Sequence, residues 1–420
     1  MTATSGDTPL PSLADAPWLG RHATQAVLSA IESGGYAARV VGGAVRNELI
    51  GAPVKDIDVA TTAEPREVMR LVEHAGLKAV PTGIEHGTVT VITDHTPLEV
   101  TTLRRDIETF GRHARVTFTT DWVEDARRRD FTINAFYCDR TGAVHDPLGG
   151  YPDLLARVVR FIGDPHDRIR EDYLRILRFF RFTAEYARGA PDAAGLEASV
   201  ELAAGLSGLS AERIRAEMLR LLAAPRAVDV VDVMEGAGLA SRVLGIAETG
   251  TLRRLTAIEA ALAREPDALL RLAALAAARP GRTLELREKL RLSSAEYERL
   301  ARMALPDKAF DPEAPEREAK AFIYRHGSET FRDGMLLAWT NSSAPTDDAR
   351  WRERLSLPER WTAPALPVRG ADVMEAGLAA GPAVGRVMRT FEDWWIAEDF
   401  PTEHLRLAYA LSRFVKANRD

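Results

Sequence analysis

Residues 40–61 constrain this chain more than any other stretch. A short apolar run enters Gly42-Gly43, Arg46 follows, and Asp56 and Asp58 close the unit. In an extended strand residues i and i+2 share a face, so the spacing predicts both carboxylates side by side. Carboxylates that close repel each other unless a cation sits between them. Oxygen ligands select a hard ion such as Mg2+, which keeps waters and completes its shell with substrate phosphates. The diglycine lets backbone approach a ligand, and a helix expected from about Ala44 offers free N–H groups to an anion. Arg46, one turn in, adds a fork for phosphate oxygens. A Gly-Gly turn alone is usually only a turn, and Asp-x-Asp alone is often a strand end or a cap. Together, on a strand–turn–helix–strand pattern, they form a phosphate cradle beside metal carboxylates, which is what nucleotidyl transfer requires. Neither a Walker sequence nor Gly-x-Gly-x-x-Gly occurs in the stretch, so the P-loop and dinucleotide readings fail there.

The rest of the chain narrows the class. Its 420 residues leave room for two to four domains or subdomains. The composition, 46% apolar and 28% charged, is ordinary for a soluble protein. No apolar run reaches the ~18 residues of a membrane span, so no membrane partner is expected. Residues 1–20 are polar and Pro-containing, without a basic start or an apolar h-region. They read as a flexible tail and not as a signal peptide. Cys138 is the only cysteine, which excludes a disulfide framework and a Cys-based zinc site and fits a reducing, cytoplasmic setting. Its simplest role is that of a small buried hydrophobe in a strand. The net charge of −6 gives no global attraction for a polyanion. Arg104, Arg105, Arg112, Arg115 and Arg127-Arg128-Arg129 nevertheless gather beside the acidic candidates, as a solvated face or as phosphate contacts.

Residues 22–33 read as a helix. Short β-like runs follow at 38–41, 57–60, 87–93 and 98–103, and Pro65 opens a helix to about Ala75. These elements make an α+β head over residues 21–145, around a small mixed sheet. After Asp146-Pro147-Leu148-Gly149-Gly150 the β signals nearly vanish. An all-α neck is expected over 146–224, and an all-α body and tail over 225–420. Breaks are expected at Pro225, Pro266, Pro280 and the Pro-rich stretches 306–315 and 344–367. No fixed period repeats, so a solenoid is not supported.

Two further clusters carry chemistry. In Arg128-Arg129-Asp130-Phe131-Thr132-Ile133-Asn134-Ala135 a charged trio runs directly into Phe and Ile, which marks charges held at the edge of a core. Asp130 or Thr132 can serve as a helix cap, which leaves the preceding arginines unexplained. The second cluster runs from Glu171-Asp172 through Arg175 and Arg178 to Phe179. On a helix Asp172, Arg175 and Phe179 share a face, with Arg178 near it. Asp172 and Arg175 make either an i,i+3 salt bridge on an amphipathic helix or a template for a base edge. A carboxylate acceptor beside a guanidinium donor complements the amino group and ring nitrogen of cytosine and of adenine. Uracil and guanine present the reverse order and leave polar groups unpaired.

Taken in order, these motifs closely resemble the class II tRNA nucleotidyltransferase and bacterial poly(A) polymerase family, a branch of the polymerase-β-like nucleotidyltransferases. The resemblance is carried by Gly42-Gly43-Ala44-Val45-Arg46 with Asp56-x-Asp58, by Arg128 to Ala135, by Asp146-Pro147 with Gly149-Gly150 and Asp153-Leu154, and by Glu171-Asp172-x-x-Arg175-x-x-Arg178. Ser210-Ala211-Glu212-Arg213-Ile214 resembles the family's neck-region motif. Gly370, Asp372, Gly377, Gly381-Pro382 and Gly385 look like the tail of bacterial CCA-adding enzymes. Pro81 to Val89 is similar to the CCA-adding version of its segment, and the Arg-Arg-Phe segment of bacterial poly(A) polymerases is missing. The C-terminal half holds only His326 and His404 and no His-Asp pair, so the metal phosphohydrolase domain of some relatives is not expected.

The resemblance implies a nucleotidyltransferase head that adds C, C and A to the 3′ end of tRNA from CTP and ATP, without a template, releasing pyrophosphate. It implies Mg2+ at Asp56 and Asp58 in a two-metal arrangement. Glu99, on the run 98–103, is the candidate for a third catalytic acid, or else a strand-end charge. Gly42, Gly43 and Arg46 would hold the triphosphate, and Arg129, with Asp130 and Asn134, the nucleotide. Asp172 and Arg175 would read the base, with Arg178 and Arg181 supporting that helix or the phosphates. The helical body would bind tRNA; oligomeric state carries no signal. Rival readings are a poly(A) polymerase, a partial CC- or A-adding enzyme, and a non-catalytic RNA-binding protein, the last opposed by the intact Asp-x-Asp. One departure stands out: Asn47 takes the place of the family's usual Asp after the arginine, which keeps hydrogen bonding and loses charge.

Overall fold

A computed structural model of the chain describes residues 9–110, 113–277, 281–303 and 307–418, with backbone alone for residues 106–110, 113–116 and 277. The chain divides into two compact units, Met1–Leu239 and Ala240–Asp420.

The first unit starts with a correction. The tail expected over 1–20 gives way to packed chain from Leu13 onward. Trp18 and Leu19 are each 2% exposed, and Trp18 Nε1 donates to Glu48 Oε2 at 2.8 Å. Leu13 N donates to Gly142 O at 2.8 Å. Gly142 has a φ of +92°, and a Cβ there would fall 2.2 Å from Ala14 N, so glycine makes room for this segment. Overall polarity concealed the anchors, because two apolar side chains suffice to dock a short segment.

Helix α1 (His22–Ser33) follows as expected, burying Val27, Leu28 and Ile31. Strand β1 (Ala38–Val41) leads through Gly42, at φ +70°, into α2 (Gly43–Leu49). Then come β2 (Asp58–Thr61), α3 (Pro65–His74), β3 (Lys78–Gly83), β4 (Thr88–Thr93) and β5 (Thr96–Thr102). Strands β6 (Arg104–Phe110) and β7 (His113–Phe118) form a separate two-stranded sheet that the sequence did not signal. Helix α4 (Trp122–Arg127) and the short strands β8 (Tyr137–Cys138) and β9 (Val144–His145) complete the head. The main sheet has the order β3-β4-β5-β2-β1-β8-β9. It is mixed as expected: β2 and β5 run parallel, and the other neighbours antiparallel. Cys138 is buried in β8, and burial pushes its thiol up to about 12, which makes it inert.

The neck consists of α5 (Tyr151–Ala156), α6 (Pro165–Glu171), α7 (Leu174–Tyr186), α8 (Ala193–Glu201) and α9 (Ala211–Ala223). An aromatic cluster fastens α7 to the head. The ring of Phe131 lies 4.9 Å from Phe161 and 5.3 Å from Phe182, and Phe161 stacks on Phe179 at 5.4 Å. The first compact unit runs on to Leu239 and includes α10 (Ala227–Gly236), which packs on α7 and α9. Arg226 secures its start, donating from its backbone N to Ala184 O at 3.2 Å and from Nη1 to Ala187 O at 3.1 Å.

The second unit contains helices and no strand among its described residues. Trp339 stacks on Trp351 at 5.9 Å, and Val387, Phe391, Trp395 and Phe400 share one core. Several buried charges are paired: Arg271 meets Glu259 at 2.7 Å, and Arg299 bridges Asp267 at 2.7 Å and Asp333 at 2.8 Å. The stretch 344–367, expected as a break, contains the helices Ala349–Leu355 and Leu357–Arg360, the first capped by Asp348. Among the described residues no helix is long and apolar enough to cross a membrane.

Phe179 is fully buried between head and neck, so Phe179→Ala should lower stability by about 3–5 kcal/mol through lost burial and a residual cavity. Urea unfolding of the full chain measures it. A loss under ~1 kcal/mol would show that the cluster does not hold α7 in place.

Candidate active site

The sheet brings the acidic candidates to one edge. Val41 lies opposite Asp58 across the β1–β2 pair, and Glu99 lies opposite Asp58 across the parallel β2–β5 pair. Asp58 and Glu99 are both exposed, while Val59 and Val100 beside them are buried. Asp56 lies just before β2, and Ile57 between the two aspartates is buried, so the predicted alternation holds although the paired strand starts at Asp58. Crowding by protein raises the Asp58 carboxyl above its ordinary range. Glu99 and Asp56 add to the rise, and Arg129 opposes it. Among the described residues no three ligand-type side chains form a closed metal site. Mutually repelling oxygen donors at an open edge fit a hard divalent cation that draws its remaining ligands from water and substrate.

Asp58 stands on the rim of a cleft of about 390 Å³. The head contributes Gly42, Gly43, Arg129, Asp130 and Asn134, and the neck contributes Asp172, Arg175, Arg178 and Arg213. Motifs far apart in the chain therefore share one cavity. The diglycine forms part of its wall: a Cβ on Gly42 would stand 3.6 Å from Arg129 Nη1.

The charged side chains of the cleft other than Asp58 are held by protein partners. Arg129 donates to Asp125 Oδ2 at 3.0 Å and to Tyr137 Oη at 3.3 Å. Arg128 Nε and Tyr137 Oη each donate to Asp125 at 2.8 Å. Burial alone would push the Asp125 carboxyl up, but Arg129, Arg128 and Tyr137 hold it down at about 2. Asp130 caps no helix, since Phe131 is the N-cap of the turn Thr132–Asn134, and instead holds its charge at the core edge. Its Oδ1 accepts from Phe131 N and Asn134 Nδ2, each at 2.9 Å, while Oδ2 accepts from Arg178 Nη2 at 2.6 Å. These bonds outweigh burial and keep its carboxyl at about 2.

Several expected positions need correction. Arg46 is 5% exposed and does not line the cleft. It lies one layer behind Gly43, bonded to Asn134 Oδ1, to Asn47 Oδ1 at 3.1 and 2.9 Å, and to Tyr186 Oη at 2.7 Å. Arg181 is likewise buried, paired with Glu217 at 2.5 Å and Glu185 at 3.0 Å. Asp172 and Arg175 do not share a helix face, because α6 ends at Glu171 and α7 starts at Leu174. Nor do they pair. Asp172 accepts from Leu174 N at 3.1 Å and from Arg213 Nη2 at 2.6 Å, whereas Arg175 binds Glu171 and Arg168 O. Arg178 does reach the cleft, through Asp130. Of the basic run, Arg128 and Arg129 are tied to Asp125, while Arg105 is exposed near Glu124. Arg112 and the side chain of Arg115 lie outside the described residues.

Asp125, Tyr137, Tyr186, Arg213 and Glu217 went unnoticed as parts of the site. Asp125 stands four residues before Arg129 on one helical turn, a spacing that signals an ion pair. Arg213 belongs to the noted Ser210–Ile214 segment, but its partner 41 residues away had no local sign. Nothing in the local sequence ties Tyr186 to Arg46, 140 residues before it.

Comparison with known proteins gives a consistent picture. The family described as "Poly A polymerase head domain" matches residues 38–160, and "Probable RNA and SrmB- binding site of polymerase A" matches residues 192–247. The mitochondrial CCA tRNA nucleotidyltransferase 1 of Mus musculus is 34% identical over 369 residues, covering 85% of this chain and 82% of the relative. The CCA-adding enzyme of Geobacillus thermodenitrificans (strain NG80-2) is 40% identical over 228 residues, covering 53% of this chain and 55% of that protein. Among solved structures, the Bacillus stearothermophilus CCA-adding enzyme in complex with CTP matches with a TM-score of 0.70 at 27% identity, over 94% of this chain and 98% of that one.

The depressed Asp125 carboxyl gives a test of the Arg129 mounting. Its folded value lies below the ordinary one, so its stabilisation is present above pH ~4 and fades as pH falls towards 2. Asp125→Asn should cost roughly 2 kcal/mol at pH 7, with the deficit shrinking in acid. Urea unfolding at pH 7 and at pH 3 compares the two, and a deficit unchanged by pH would refute the electrostatic account.

Proposed function

The chain belongs to the CCA tRNA nucleotidyltransferase family, and we propose that it adds C, C and A to the 3′ end of tRNA from CTP and ATP. The observation that carries this reading is the single cleft shared by Asp58, the Gly42-Gly43 turn and the Asp172, Arg175 and Arg178 side chains. Such a cleft has room for a triphosphate beside the acids and for a base against the neck. The primer 3′ oxygen bonds to the α-phosphorus, the bond from that phosphorus to the bridging oxygen breaks, and pyrophosphate leaves with it. When bound, a divalent cation, Mg2+ in a two-ion arrangement in our reading, activates the hydroxyl and bears triphosphate charge.

The chain's own residues do the rest. Asp56 and Asp58 hold the cation, and Glu99, in register with Asp58, adds negative charge beside them. Gly42 and Gly43 admit the phosphates close to backbone, and Arg129, braced by Asp125 and Tyr137, faces the nucleotide. Asp130 and Asn134 tie this wall to Arg178 and Arg46. Asp172 and Arg175 read the base by exchanging protein partners for base atoms: the Asp172 carboxylate accepts from the amino group and Arg175 donates to the ring nitrogen. Arg181 supports α7 from behind. The helical second unit binds the tRNA, chiefly through backbone phosphates. We place the work in the cytoplasm, on the strength of the single cysteine; a mitochondrial setting, as in the mouse relative's name, is the rival that cell fractionation resolves.

Purified protein given labelled CTP or ATP and a tRNA lacking its end tests this reading and separates it from a poly(A) polymerase, a partial enzyme and a non-catalytic RNA-binding protein. Asp56→Ala and Asp58→Ala should each abolish addition while leaving tRNA affinity nearly intact; turnover within tenfold of wild type in both would sink the metal assignment. Asp172→Ala should erode discrimination against UTP, because the carboxylate no longer faces uracil O4 at a cost of about 1–3 kcal/mol. Incorporation efficiencies for all four nucleotides decide it. If UTP and GTP stay excluded while CTP and ATP use falls uniformly, Asp172 only braces Arg213.

A further inference from the structure

Arg46 differs from the arginines around it. Arg129 touches Asp125, Arg178 touches Asp130, Arg181 touches Glu217, Arg175 touches Glu171 and Arg213 touches Asp172. Every hydrogen-bond partner of Arg46 is neutral: the side-chain carbonyls of Asn134 and Asn47 and the Tyr186 hydroxyl. The Tyr186 ring also lies under the guanidinium, at 3.9 Å. The nearby carboxylates are engaged elsewhere, Glu185 with Arg181 and Asp130 with Arg178. A buried cation without a touching anion is costly unless a ligand supplies one. Arg46 Nη2 lies 3.8 Å from where a Gly43 Cβ would stand, so only bare backbone separates it from the cleft wall.

Asn47 controls this arrangement. Two guanidinium N–H groups fix its side-chain oxygen, which leaves Nδ2 to donate to Pro53 O at 2.8 Å. Its backbone oxygen also accepts from Ala52 N at 2.8 Å, so Asn47 clasps the loop that leads to Asp56. An aspartate here would neutralise Arg46 and turn a second acceptor toward the Pro53 carbonyl.

We propose that Asn47 is a positioning residue: it orients the Arg46 guanidinium without neutralising it, so that the charge acts through the Gly42-Gly43 turn on the phosphates of the bound nucleotide. This rests on reading the cleft as the nucleotide site. At the edge of a low-dielectric interior a unit charge acts across such a layer. Asn47→Asp therefore subtracts charge from the phosphate field even though it creates an ion pair. Asn47→Ala removes the orientation and keeps the charge.

Calorimetric titration of the full-length protein with CTP and Mg2+, without tRNA, tests this against Asn47→Asp, Asn47→Ala and Arg46→Ala. Affinity should fall in the order wild type, Asn47→Ala, Asn47→Asp, with the last about tenfold weaker, the scale of one partly buried charge interaction. In turnover, Asn47→Asp should raise KM for CTP much more than it lowers kcat, and leave KM for tRNA unchanged. Its CTP affinity should also depend less on salt than that of wild type. Asn47→Asp binding as tightly as wild type, or more tightly than Asn47→Ala, overturns the inference. If Arg46→Ala weakens CTP binding while Asn47→Asp does not, the charge argument fails and the site assignment survives. If the wild-type protein neither binds CTP nor extends tRNA, both fail.

Discussion

The carboxylate of Asp130 joins head to neck. From one oxygen it holds the head's own turn, through Phe131 N and Asn134 Nδ2, and from the other it holds Arg178 of α7. Its bonds outweigh the cost of burial and hold the carboxyl at about 2, so the joint stabilises the folded chain above pH ~4. It also adds geometry. The aromatic rings of Phe131, Phe161, Phe179 and Phe182 supply the burial energy at the same junction, but their contacts are non-directional. The ion pair fixes where along α7 those rings settle, and so which neck side chains face the sheet edge carrying Asp58. Removing either partner would leave the other charge buried without its counterpart and free α7 from its registration on the head.

From this joint the charges grade across the cleft. Uncompensated acids lie at the open edge of β2 and β5, paired arginines line the middle, and an arginine with neutral partners sits behind the glycine turn. On the proposed reading the acids would face the cation, and Arg129 with Arg46 behind it the phosphates, leaving Asp172 and Arg175 for the base. If Arg129 meets the phosphates, as proposed, little rearrangement is needed there, because Asp125 and Tyr137 already hold it.

Local patterns carried much of this in the sequence. The strand at 38–41, the helix at 22–33 and the end of the sheet near residue 145 follow from period and punctuation, and the structure places them there. Alternation across Asp56, Ile57 and Asp58 was legible for the same reason. Pairings between distant segments were not. Asp172 and Arg175 look like an i,i+3 pair, yet the α6–α7 break separates them and Arg213 takes the carboxylate from a helix that the sequence could not place. Arg46 reads as a cleft residue because of its spacing from the diglycine. Only the tertiary contacts of Tyr186 and Asn134 show that it is sequestered behind the wall. The hairpin of β6 and β7 hid within a run of arginines, where charge masked strand propensity.

Asp172 and Arg175 each have partners within the protein: Arg213 and Leu174 N for one, Glu171 and Arg168 O for the other. A base arriving there meets no bare charges and must displace bonds that the protein makes to itself. If this end takes a nucleobase, as proposed, its affinity is a difference between two sets of satisfied bonds. On that reading the bonds the protein makes to itself re-form as each base leaves, so the same side chains stand ready for a chemically different guest.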